Sequence, residues 1–152
     1  MRTPTCLAAA AVLALPLQAA DTPAPPPPRP AAAAPADPLG AARARIAASD
    51  WPGALAALQA ARDERSADWH NLMGFALRSQ ATPDYPGAEQ HYNNALRINP
   101  AHRGALEYAG ELYLKTNRRP QAEAQLAALA KACPNGCPEL DDLKAALARH
   151  KP

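Results

Sequence analysis

Two stretches of this chain set large and small apolar residues at helical spacing. From Asp68 to Gln80 the apolar positions are Trp69, Leu72, Met73, Phe75, Ala76 and Leu77. From His102 to Lys115 they are Leu106, Ala109, Leu112, Tyr113 and Leu114. Residues three and four apart share a helical face, so each stretch predicts an amphipathic helix. Each contains a glycine, Gly74 and Gly110, at a position where alanine would favour the helix by about 1 kcal/mol. A glycine kept there predicts a partner helix crossing close to the backbone. An earlier helix is predicted from Asp37-Pro38 to about Ser49. Its apolar positions are mostly Ala with Leu39 and Ile46, which makes it the weakest.

Between these helices the sequence echoes itself. Asp50-Trp51-Pro52-Gly53-Ala54 returns 34 residues later as Asp84-Tyr85-Pro86-Gly87-Ala88, and again as Arg118-Arg119-Pro120-Gln121-Ala122. Three phases run on from there: Ala54, Ala88 and Ala122; Leu58, Tyr92 and Leu126; Ala61, Ala95 and Leu129. Positions four and seven beyond the shared alanine lie on its helical face. The face thus alternates small and large residues, as a closely packed partner requires. The prolines fall in the first turn, where a missing amide costs little. Asp50 and Asp84 suit the N-cap, where a carboxylate accepts from exposed amides. A last helix is predicted over Pro138 to His150, with a polar outer face carrying Glu139, Asp141, Lys144 and Arg149.

These residues resemble the tetratricopeptide repeat family, a 34-residue helix–turn–helix unit. Leu106, Ala109-Gly110, Tyr113, Ala122, Leu126, Leu129 and Pro134 carry the likeness in a copy at about 103–136. Met73-Gly74, Leu77, Ala88, Tyr92, Ala95 and Pro100 carry it in a copy at about 67–102, which has two extra residues in its inner loop. The first copy, about 35–68, keeps only its second helix, and Ser66 stands where the closing proline belongs. The resemblance implies an all-α fold: a right-handed superhelical stack of about three such repeats, with 138–150 as the capping helix that an open-ended stack needs. It also implies a concave groove lined by the first helix of each pair. Carried over residue by residue, that groove offers Asn71, Phe75 and Arg78, then Glu107, Glu111 and Lys115, with Arg43 from the first copy. A partner protein or peptide segment is the implied ligand. A clamp for a chain-terminal carboxylate is not implied, because Glu107 and Glu111 intrude.

The rest of the sequence bounds this picture. Residues 1–20 have a single charge, Arg2, an apolar run from Cys6 to Leu17, and small residues at Ala19 and Ala20. This is the pattern of a signal peptide cleaved after Ala19 or Ala20, so the expected location is periplasmic or secreted, as for an exported bacterial protein. The apolar run is too short for the ~20 residues of a spanning helix, so no membrane insertion is expected after cleavage. Cys6 stands at the start of the run and not after it, which is the wrong place for lipid attachment. Residues 21–36, DTPAPPPPRPAAAAPA, read as a disordered Pro/Ala-rich tether. The folded domain is then 37–152.

The net charge is +2 with 5% aromatics and no basic stripe, so nucleic acid is not an expected partner. No phosphate loop, metalloprotease motif or nucleophile elbow occurs, and neither an enzyme nor a cofactor is expected. Cys133 and Cys137 bracket a Pro-Asn-Gly turn. In an oxidising compartment two cysteines this close pair as a disulfide. The other use of Cys133 and Cys137 is thiol–disulfide or metal handling. The four histidines are scattered along the sequence and none has ligand spacing to the cysteines, so no metal site is expected.

Overall fold

Asp50 and Asp84 begin their helices as their chemistry dictates. The Asp50 carboxylate accepts from the Gly53 amide at 3.0 Å, and that of Asp84 from the Gly87 amide at 2.9 Å. A Cβ at either glycine would run into the capping carboxylate, which explains why Asp-x-Pro-Gly returns as a unit. Ser66 and His102 cap two other helices, accepting from the amides of Trp69 and Ala105. Ser66, which stands where a closing proline is usual, is therefore a helix start.

The computed structural model describes residues 37–150; the signal segment and the Pro/Ala-rich segment lie outside the described residues. Among the described residues there are seven helices and no strands: α1 (Gly40–Ala47), α2 (Trp51–Ala61), α3 (Ala67–Ser79), α4 (Tyr85–Ile98), α5 (Arg103–Lys115), α6 (Arg119–Ala132) and α7 (Pro138–Arg149). They pack as pairs, α1 on α2, α3 on α4, α5 on α6. The first helices also stack on one another, α1 on α3, α3 on α5 and α5 on α7. The fold is an all-α repeat stack.

α1 is shorter than its sequence span suggests. Asp37 spends its carboxylate on the Leu39 amide and Arg43, and Ser49 turns left-handed at φ 55° to end the segment. α3 begins one residue earlier than expected because Ser66 is its cap, and α5 begins one residue later because His102 is its cap.

The repeated phases form the core. Ala54, Leu58, Ala88, Tyr92, Ala95, Ala122 and Leu129 are wholly buried, while Ala61 and Leu126 are partly covered. α7 adds Leu140, Leu143 and Leu147. Both helical glycines mark close approaches. A Cβ on Gly74 would sit 2.7 Å from the Tyr92 ring, and one on Gly110 would sit 2.7 Å from Leu143 of α7. Tyr92 is rigid and enclosed. Gly74→Ala is therefore expected to cost roughly 1–2 kcal/mol net, overpacking outweighing the gain in helix propensity. The check is the denaturant midpoint. A variant as stable as its parent would show that the Tyr92 ring has room to move.

Cys133 ends α6, Cys137 caps α7, and the two are joined as a disulfide with Cα atoms 5.9 Å apart. Gly136, at φ 86°, makes the turn between them. Closing so short a loop stabilises by roughly 2 kcal/mol on the chain-entropy model. Replacing both cysteines by serine should lower stability by about that amount. It should also make the amides of α7 exchange faster than those of α5. Unchanged exchange in α7 would show that Leu140, Leu143 and Leu147 hold it unaided.

Candidate functional site

The last turns of α3, α5 and α7 end side by side around a cleft of about 640 Å³. Each contributes the same three register positions. α3 gives Phe75, Arg78 and Ser79; α5 gives Glu111, Leu114 and Lys115; α7 gives Ala146 and Arg149, with His150 just beyond it. Four of the six expected groove residues, Phe75, Arg78, Glu111 and Lys115, thus meet in one place. The contribution of α7 was not foreseen. Extending the 34-residue period from Glu111 reaches Ala145, one residue short of Ala146, so the period points to this turn of α7 without naming the residue.

Asn71 and Glu107 lie elsewhere, each only 8% exposed. They occupy the position one turn earlier on α3 and α5, where neighbouring helices close over them. Asn71 Oδ1 has no hydrogen-bond partner among the described residues. Glu107 is pushed up to about 7 by burial first, and then by Glu111, Asp142 and Glu139, with Arg78 opposing. A buried carboxyl that is about half protonated near pH 7 is a poor fixed negative charge for the groove.

Arg78 is also more constrained than a free groove cation. Its guanidinium pairs with Glu111 at 2.7 Å, the two side chains being 7% and 27% exposed. It lies over the rings of both Phe75 and Tyr108, at 5.1 and 4.9 Å from their centroids. Phe75 in turn meets the edge of Trp51 at 5.9 Å and the Tyr108 ring at 4.8 Å. Phe75 and Arg78 therefore join α3 to α2 and α5 as well as lining the cleft. Tyr108 and Trp51 were invisible as partners because they come from different repeats. Arg43 is held by Asp37 at 2.7 Å and by Asp68 at 3.4 Å.

The histidines are less scattered than their sequence positions imply. His70 Nε2 lies 3.0 Å from the Glu64 carbonyl, which can only accept, so Nε2 carries the proton. His70 Nδ1 then accepts from Nδ1 of His91 at 2.9 Å. Burial lowers the pKa of both rings. His102 donates to Asp68 at 2.9 Å. The one group of three potential ligand side chains among the described residues is Cys133, Cys137 and Glu139. Its two sulfurs are bonded to each other.

Residues 81–147 match the family model described as tetratricopeptide repeat. The segment from α4 to α7 is therefore a tetratricopeptide-repeat segment. The matched span runs from the loop before α4 to the end of α7, so it includes the helix read from sequence as a cap. No curated protein matches the chain. Tetratricopeptide repeats are in general protein-interaction modules, and no helix among the described residues is long and apolar enough to cross a membrane.

Proposed function

We propose that this protein is a non-catalytic adaptor or assembly factor of the bacterial cell envelope, holding a segment of a partner protein in its concave groove. The observation that carries the reading is the cleft where α3, α5 and α7 end together. Concave surfaces of solenoids are extended binding faces, and this one joins apolar and charged walls. The envelope location rests on the signal pattern of residues 1–20 and on a cysteine pair suited to an oxidising compartment. Three helical pairs and a cap make a short groove, so affinity for one segment should be modest.

The test is co-purification from the native envelope with the full chain and with Ala146→Trp, which fills the cleft from its edge. The partner should be lost with the variant while the melting curve stays that of a folded protein. Equal recovery of the partner with a folded Ala146→Trp chain would sink the groove reading.

A second reading uses Cys133 and Cys137 for thiol–disulfide or metal handling. It draws support from Glu139, whose carboxylate oxygen lies within 4.8 Å of both sulfurs. It requires the disulfide to open under a mild dithiol and the resulting thiols to take up zinc. A pair that resists such reduction, or a dithiol form that binds no zinc, removes it.

A further inference from the structure

The charges around the cleft specify what should fill it, provided the groove reading above holds. Most cations of the concave helices are already matched. Arg43 is paired with Asp37 and Asp68, Arg78 with Glu111, and Arg103 faces Glu139 at 3.8 Å. Lys115 and Arg149 differ. Both are exposed, both line the cleft one repeat apart, and neither forms an ion pair among the described residues.

Helix C-termini would normally present bare carbonyls and a negative dipole end to such a cleft. Here those carbonyls are largely covered. Leu112 O accepts from Thr116 and Leu114 O from Asn117. Leu147 O and His150 O both accept from Arg119 at 3.2 Å. Leu77 O takes the Asp84 amide at 3.1 Å. The cationic side chains therefore set the potential of the cleft, above an apolar floor of Phe75, Leu114 and Ala146. His150 Nδ1 is buried in the wall without a hydrogen-bond partner among the described residues.

The opposite end of α7 carries Glu139 and Asp142. A basic segment would be drawn there, leaving the cleft to an acidic one. The chain's own 21–36 segment has one acid, Asp21, offset by Arg29, so it does not match the site.

We propose that the cleft takes an acidic–apolar segment of another protein, with Asp or Glu side chains on Lys115 and Arg149 and a large apolar side chain over Phe75, Leu114 and Ala146. Such contacts are partly exposed, so they should weaken as salt screens them.

The experiment uses the full chain and two fluorescent peptides, one of alternating glutamate and leucine, the other with lysine in place of every glutamate. The acidic peptide should bind at least about tenfold tighter at low salt, a difference of about 1.4 kcal/mol. Lys115→Glu with Arg149→Glu should abolish or invert that preference. Lys131→Glu with Arg65→Glu, an equal change of charge at two exposed positions outside the cleft, should leave it intact. Preference for the basic peptide overturns the partner chemistry while leaving the groove reading standing. Equal affinity for both peptides, or no binding of either up to about 1 mM, overturns it too. If the chain self-associates and the double variant abolishes that association, the occupant is a second copy and the proposal fails.

Discussion

An Arg78→Glu protein is expected to be poorly folded, instead of folded and deficient in binding. Sequence reasoning places Arg78 on the groove face, where charge reversal would ordinarily be a clean probe. The structure makes it a fastener between repeats. Its guanidinium pairs with Glu111 across two helices and packs over the Phe75 and Tyr108 rings. Breaking a buried pair by removing one partner costs about 3–5 kcal/mol, because the remaining charge loses its counterion without regaining water. Glutamate does more harm than alanine here, since it adds a third carboxylate beside Glu107 and Glu111. Small domains are stable by only about 5–15 kcal/mol, so this loss is a large fraction of the whole. Urea unfolding reads it directly. Lys115→Glu, on an exposed side chain of the same cleft, should change stability by no more than about 0.5 kcal/mol. If Arg78→Glu unfolds at the parent's midpoint, Arg78 does not fasten the repeats.

Glu107→Gln is expected to stabilise the protein at pH 8 and leave it nearly unchanged at pH 4. The folded chain raises this carboxyl from 4.5 to about 7, chiefly through burial. Below about pH 4.5 the group is protonated in both states and contributes no difference. Between there and pH 7 the folded state holds a proton that the unfolded chain releases, so the fold weakens as pH rises. Above pH 7 the full cost is present, roughly 3 kcal/mol at 1.36 kcal/mol per unit. Glutamine removes the titration and keeps the shape. His70 and His91 act in the other direction, since their lowered pKa values weaken the fold as pH falls below 6.5. Variant and parent must therefore be compared at each pH. A gain at pH 4 equal to that at pH 8 would show that the effect is packing and not charge.

What the sequence made legible was whatever repeats. The small–large–small phases gave the core of α2, α4 and α6. Gly74 and Gly110 announced close crossings, which Tyr92 and Leu143 supply. The Cys-x-x-x-Cys corner gave the disulfide. The misses come from contacts between repeats, which no period encodes. Glu107 and Asn71 sit on the groove side of their helices, yet α5 and α7 approach closely enough to bury them. Arg78 has the length to reach the next repeat and does so. α7 looked like a polar cap because its outer residues dominate its sequence. Its inner turn repeats the Phe75 and Glu111 position as Ala146, and that residue completes the cleft.

The most direct test of the groove is photocrosslinking in the native cell from single positions. A photoreactive residue replacing Lys115, inside the cleft, should give a discrete adduct with one partner protein. The same residue replacing Ala127, beside the separate pocket lined by α6, should give none. An adduct formed from position 127 and absent from position 115 would contradict the account.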